Sequence, residues 1–257
     1  MDRLKAKVAI VTGAGSRGSG IGNGRATAVL FAREGAKVFL VDINREAAEE
    51  TLRMIQEDKG EATVHQADLT EESSCQQMLK RCVEVYGRVD ILDNNVGIGS
   101  SLGGILQTTE EEWDRLFAVN LKTMIFCSKA VIPYMKHQGV GSVINIASYS
   151  GIRHSPMIAY GSTKAAMIHL TKIMAVDHGR DNIRVNCIAP GYIDTPLVSS
   201  SSPMTPERRK KREEAAPLGR QGTAWEVGWA AVFLASDEAS FITGTVLTVD
   251  GGRSCKE

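Results

Sequence analysis

Thr12-Gly13-Ala14-Gly15-Ser16-Arg17-Gly18-Ser19-Gly20-Ile21-Gly22-Asn23-Gly24 follows the apolar run Val8-Ala9-Ile10-Val11 and opens into a helical pattern. Six glycines in positions 13–24 let the backbone turn sharply and approach a phosphate closely. The helix that follows offers that charge its unpaired N–H groups and the positive end of its dipole. Strand, glycine loop and helix in this order open a nucleotide-binding βαβ unit. The next apolar run, Phe39-Leu40-Val41, ends in Asp42, placed where a carboxylate can accept hydrogen bonds from an adenosine ribose. A carboxylate there repels a 2′-phosphate, so NAD is favoured over NADP; Arg17 and Arg45 are the basic residues that pull the other way. Asp42 also suits a helix N-cap, a role compatible with the first.

Outward from this unit, short β-branched runs alternate with long helical patterns. Strands are expected at 7–11, 37–41, 62–66, 89–92, 142–147, 183–187 and 245–249, and helices at 24–34, 45–59, 71–86, 111–136, 157–178 and 225–235. Seven strands alternating with helices imply an α/β, Rossmann-type doubly wound parallel sheet with helices on both faces and its ligand site beyond the carboxyl ends of the strands. No Pro/Ser-rich linker divides the 257 residues, which read as a single domain, 1–257. Residues 195–220 break the rhythm with four of the seven prolines, a serine run (199–202) and a charged stretch (207–214). A long irregular excursion of this kind is expected to be a substrate lid.

Composition excludes several functions. Thirty basic residues balance thirty acidic ones, leaving no field for nucleic acid or an anionic membrane. No run of 18 apolar residues offers a membrane span. The apolar run near the N-terminus is too short for a signal-peptide core. The five cysteines, Cys75, Cys82, Cys127, Cys187 and Cys255, form no disulfide framework and no metal-ligand spacing, which points to the cytoplasm and to no metal.

The chemistry is concentrated in Tyr160-Gly161-Ser162-Thr163-Lys164, with Ser148 at the end of the apolar strand Val143-Ile144-Asn145-Ile146-Ala147. Positions i and i+4 share a helix face, so Lys164 can favour the phenolate of Tyr160 and let it act as a base near neutrality. Ser148 can donate a hydrogen bond to a developing alkoxide or carbonyl oxygen.

With these motifs in this order, the whole chain resembles the short-chain dehydrogenase/reductase family, in its single-domain branch. Thr12 to Gly22 resembles the family's cofactor loop, which would bring Gly13, Ser16, Gly20, Ile21 and Gly22 to the cofactor. Asp68-Leu69 resembles the adenine-contacting pair, Asn94-Asn95-Val96-Gly97 the Asn-Asn-Ala-Gly strand end, and Pro190-Gly191 with Ile193 and Thr195 the nicotinamide-side loop. Asn120 matches the active-site asparagine and completes a tetrad with Ser148, Tyr160 and Lys164. The resemblance implies hydride transfer between NAD(H) and a secondary alcohol or ketone. In it Tyr160 is the general acid/base, Lys164 lowers its pKa and holds the nicotinamide ribose, Ser148 orients the substrate oxygen, and Asn120 fixes a proton-relaying water. It implies a homotetramer formed through the helices at 111–136 and 157–178. It also places Ile98, Tyr149, His154 and Tyr192 at the substrate.

Departures from the family pattern are visible. Arg17-Gly18-Ser19 reads as an insertion, the helix start Gly20-Ile21-Gly22-Asn23-Gly24-Arg25-Ala26 is two residues longer than Gly-x-Gly-Arg-Ala, and Asp93 stands where an apolar residue is expected. Cys75, Cys82 and Cys187 read as half-buried or core residues. Trp225 and Trp229 share a helix face that suits a core or a subunit contact. Arg208-Arg209-Lys210-Lys211-Arg212 reads as a solvated helix face. Two rival functions share the fold: an NADP-dependent ketoacyl-thioester reductase, which would carry basic chemistry at position 42, and a non-catalytic NAD sensor, which would not need the tetrad.

Overall fold

The computed structural model describes residues 2–100, 103–201 and 203–256; Ser202 of the serine run lies outside them. The chain folds as β1 (Val8–Thr12), α1 (Asn23–Arg33), β2 (Lys37–Asp42), α2 (Arg45–Glu57), β3 (Glu61–Gln66), α3 (Glu72–Tyr86) and β4 (Ile91–Asn94). Then come α4 (Glu110–Leu116), a π-helical turn (Phe117–Lys122), α5 (Thr123–Gln138), β5 (Gly141–Ile146), α6 (Ile158–His178) and β6 (Ile183–Pro190). The last part holds β7 (Ile193–Asp194), α7 (Pro196–Ser201), α8 (Pro206–Ala215), β8 (Gly222–Thr223), α9 (Ala224–Ala235) and β9 (Val246–Val249).

Seven of these strands form one parallel sheet in the order β3-β2-β1-β4-β5-β6-β9. Strand residues alternate between two apolar layers. Val11, Ile91 and Ile144 face α1, α2 and α9, whereas Ile10, Leu92 and Val143 face α3, α5 and α6. Both faces are thereby covered, which is why the strands read as nearly continuous apolar runs. Strand order reverses between β1 and β4, and the crevice there opens at the carboxyl ends that carry Gly13 and Asn95.

Two local expectations are corrected, and one small sheet adds to them. The helix expected over 111–136 is interrupted by the π-turn at Phe117–Lys122, which carries Asn120 with none of its surface exposed; a widened turn leaves apolar periodicity almost unchanged, so the pattern conceals it. A two-stranded sheet, Ile193–Gly222 and Asp194–Thr223 in register, ties together the two ends of the 195–220 excursion. Arg212 is not on a solvated face: it is buried, donates to Ile193 O and Gln221 Oε1, and stacks over the Tyr192 ring. The remainder of the charged stretch forms α8, as its composition suggests.

Cys75, Cys82, Cys127 and Cys187 are fully buried, and Cys75 Sγ lies 3.6 Å from Cys127 Sγ between α3 and α5. Trp225 packs at the edge of the core under Arg33, while Trp229 stays 45% exposed. By length and composition the run 110–138 is apolar enough to cross a bilayer, but half of it is buried inside the fold, as befits a core helix.

Candidate active site

A cleft of about 660 Å³ runs along the carboxyl ends of the strands. Its first wall is the glycine loop. Gly13 turns the chain with a φ of +63°, and Gly24 lies so close that a Cβ there would come 2.0 Å from Gly13 O and 2.4 Å from Asn95 Nδ2. This is the contact of helix with strand that only glycine permits. The helix begins at Asn23 with Gly22 as its N-cap, no side chain caps it, and no acid occupies its first turn. Its free N–H groups therefore face the cleft, ready for an anion. Ser16 Oγ and Asn23 Oδ1 are buried beside it with no partner among the described residues. These orphaned polar atoms and the glycine cradle fit a dinucleotide pyrophosphate.

The helix start reads Gly22-Asn23-Gly24-Arg25-Ala26, and residues 17–21 leave the loop and return to nearly the same point, since a Cβ on Gly22 would lie 3.4 Å from Ser16 Oγ. Gly13, Ser16, Arg17, Gly18 and Gly22 line the cleft, and Gly20 lies beside Pro196, where a Cβ would come 3.2 Å from its Cγ. The excursion is held by Arg25, a buried residue that sequence reasoning missed. Its guanidinium donates to Gly20 O (2.9 Å), Ala47 O (3.0 Å), Thr51 Oγ1 (3.1 Å) and Glu50 Oε2 (2.7 Å). Counting the motif back from the helix would have flagged it.

Asp42 ends β2 with both oxygens engaged, Oδ2 by Gly15 N and Oδ1 by Asn44 N, each at 2.9 Å. The N-cap of α2 is Asn44, whose side chain accepts from Ala47 N, so Asp42 does not cap that helix. It lines the cleft as a fixed carboxylate. Asp68 accepts from Thr70 N and Oγ1, and Asp68 and Leu69 form the wall opposite. Asn95 donates to Gly13 O and joins the two strand ends.

At the other end of the cleft lie Gly97, Ile98, Tyr160, Lys164, Thr195 and Leu197. Tyr160 and Lys164 occupy successive turns of α6, with Nζ 5.7 Å from the Tyr160 ring centre. That ammonium donates to Ile146 O at 2.9 Å, and burial pushes its pKa down from 10.5 to about 8. Burial pushes the Tyr160 phenol up, while the Ser148 hydroxyl beside it pulls the other way. Ser148 caps the short turn Tyr149–Gly151, its Oγ accepting from Ser150 N. A Cβ on Gly97 would lie 3.4 Å from Lys164 Nζ and 3.5 Å from Asn120 Oδ1, so only a small residue fits between these two groups and the cleft. The Asn120 side chain grips the Ile98 peptide from both sides, Oδ1 accepting from Ile98 N (2.7 Å) and Nδ2 donating to Ile98 O (3.0 Å). Its amide is thus committed to holding the cleft wall.

The structure thereby brings the tetrad, Asp42, Asp68, Leu69, Asn95, Gly97, Ile98 and Thr195 to one cleft or directly behind its wall. It does not bring every expected residue there. Ile193 is buried in the core, and Gly191 packs against Asp250 beyond Pro190 at the end of β6. His154 is exposed and lines a separate depression with Gly103 and Gln107. Tyr149, near enough to Tyr160 to help raise its phenol, packs edge to face with Tyr192, 5.6 Å apart.

A family model described as enoyl-(acyl carrier protein) reductase matches residues 15–254. A 3-oxoacyl-acyl-carrier-protein reductase from Thermotoga maritima is 39% identical over 97% of this chain and 98% of its own. Among solved structures, a short-chain dehydrogenase/reductase from Burkholderia xenovorans is 40% identical, superposes with a TM-score of 0.97 and is covered completely, as is this chain. A 7α-hydroxysteroid dehydrogenase complexed with NADH and 7-oxo glycochenodeoxycholic acid is 37% identical, with a TM-score of 0.90 over 97% of this chain and 95% of that one. Likeness at this level runs from end to end and includes the strand order, and the chain belongs to the short-chain dehydrogenase/reductase family.

Proposed function

We propose that this oxidoreductase of alcohol and ketone substrates uses NAD in preference to NADP, with Tyr160 as general acid/base, and works in the cytoplasm as a homotetramer. The observation that carries the catalytic reading is the convergence of Tyr160, Lys164, Ser148 and Asn120 on one end of a cleft whose other end fits a dinucleotide. A bound nicotinamide supplies the hydride chemistry. Tyr160 holds the proton exchanged with the substrate oxygen, Ser148 donates a hydrogen bond to that oxygen, and the Lys164 charge favours the phenolate. Asn120 keeps Gly97 and Ile98 in place as the wall. Thr195 and Leu197 line the cleft at the start of the 195–220 segment, which supports its reading as a lid that excludes water. Asp42 supports NAD: fixed by two backbone N–H groups, the carboxylate cannot swing away from a 2′-phosphate. The same acid argues against the ketoacyl-thioester reductase with NADP, and the complete tetrad argues against a mere sensor. Buried free thiols agree with a reducing compartment.

The test is reduced-nicotinamide absorbance with both cofactors and a panel of secondary alcohols, hydroxyacids, sugars and steroids. Turnover with NAD is expected. Asp42→Ala should narrow the NAD/NADP ratio of kcat/KM, chiefly by improving NADP. A wild-type preference for NADP would overturn the Asp42 reading in favour of Arg17 or Arg45.

A further inference from the structure

Next to the tetrad, segments distant in sequence meet around one guanidinium. Arg253 sits in the short helical turn Arg253–Cys255 near the end of the chain. Its Nη2 donates to Tyr149 OH (3.2 Å) and Tyr192 OH (3.0 Å), and its Cζ lies 4.6 Å and 4.0 Å from the two ring centres. Arg212, from α8, stacks on the Tyr192 ring at 4.3 Å and donates to Ile193 O. The segment that presents Arg253 is itself braced, because Asp250 accepts from Gly252 N (3.0 Å) and Ser254 N (2.7 Å). Beyond it, Lys256 O accepts from Arg153, and Lys256 Nζ donates to Glu214 O.

The position of the two rings gives this cluster its consequence. Tyr149 directly follows Ser148, and Tyr192 directly follows Pro190-Gly191 and precedes the strand that leads to Thr195. A ring pinned at its hydroxyl and face tethers the backbone that bears it, so freeing either ring loosens the segment carrying one of these groups. A planar guanidinium between two aromatic rings, bonded to both hydroxyls, fixes their relative orientation in a way a flexible ammonium cannot. We propose that Arg253 is a positioning residue: it locks the Ser148 turn to the loop carrying Thr195, and through Arg212 to α8, so that the proton-donating side of the cleft and the base of the lid keep one geometry. A displacement of about 1 Å at such a turn costs far more in rate than in cofactor binding. The catalytic consequence rests on the tetrad reading above; the mechanical claim does not.

Arg253→Met and Arg253→Lys test it, read by hydrogen exchange of the whole chain, by NADH titration, and by turnover of the carbonyl compound most active in the panel. Peptides covering 148–153 and 191–195 should exchange about tenfold faster in both variants, with those over β1 to β4 unchanged. NADH affinity should stay within about twofold while kcat/KM falls at least about tenfold, chiefly in kcat. Lysine should fail to substitute, and methylguanidinium should restore part of the activity of Arg253→Met. Unchanged exchange at both segments, or turnover equal to wild type, would overturn the proposal. Should Arg253→Met not fold, Tyr149→Phe with Tyr192→Phe removes the two acceptors and keeps the rings, and the same exchange pattern is expected. Wild-type protein inert toward the whole panel would defeat the catalytic reading and leave the exchange comparison to decide the mechanical one.

Discussion

Tyr160 and Lys164 answer to opposing pressures. Burial raises the phenol and lowers the ammonium to about 8, so the ammonium approaches the range where a proton can be traded near neutrality, whereas the phenol is pushed away from it and the Ser148 hydroxyl beside it opposes that rise. Tyr160→Phe removes the hydroxyl without changing the ring. A loss of at least about a thousandfold in kcat, roughly 4 kcal/mol of transition-state stabilisation, is expected with cofactor affinity nearly unchanged. Initial rates and NADH titration check both halves, and a tenth of the activity remaining would sink the assignment. Asp93 is a residue of another kind. Fully buried in β4, with neither oxygen partnered among the described residues, its carboxyl is pushed from 3.8 up to about 8 by burial alone. The folded state therefore holds a proton that the unfolded chain releases above its lower pKa. Stability is undiminished below about pH 4 and falls by up to about 1.4 kcal/mol per pH unit until about pH 8, where the loss levels off. Asp93→Asn should abolish this slope. Thermal midpoints should match the wild type near pH 5 and exceed it near pH 9, and parallel curves would show the carboxyl to be ionised in the native state.

Elements were legible where a pattern carries them and hidden where a contact does. All seven strands of the large sheet, α3, α6 and α9 lie within a few residues of where periodicity puts them. Glycine recurs every second residue from 18 to 24 and gives no register, so the close contact of Gly24 with Gly13 O is invisible in the sequence. Ile193 with Gly222 is a strand pair too short for any pattern. Arg212 is indistinguishable in sequence from the four basic residues before it, because stacking on Tyr192 depends on the return of the chain at β8. The glycine loop supplies a direct test of which residues hold the phosphates. Removing residues 17–21 should leave NADH affinity within about tenfold, since the ends of the excursion already meet. Gly24→Ala should cost on the order of 3 kcal/mol or more and abolish NADH binding, because its methyl group would enter backbone atoms that cannot yield. NADH fluorescence and thermal melts distinguish the two variants; loss of binding in the deletion would show that residues 17–21 hold the phosphates.

At the scale of the whole molecule, the sheet and its two apolar layers account for the monomer, and some of the surface remains unexplained by it. On α6, Val176 is 81% exposed and Ile173 42%, on one of the two helices through which a tetramer is expected. Val176→Glu should reduce the mass seen by light scattering from four chains to two or one while preserving the circular dichroism of the fold; an unchanged tetramer would move the interface elsewhere. The tail around Arg253 has a practical consequence. Cys255, two residues beyond it, is the single exposed cysteine of the five, so a thiol-reactive fluorophore would attach there alone and report directly on the tail's movement. For the same reason an affinity tag belongs at the other terminus, where its weight would not bear on the guanidinium that aligns Tyr149 and Tyr192.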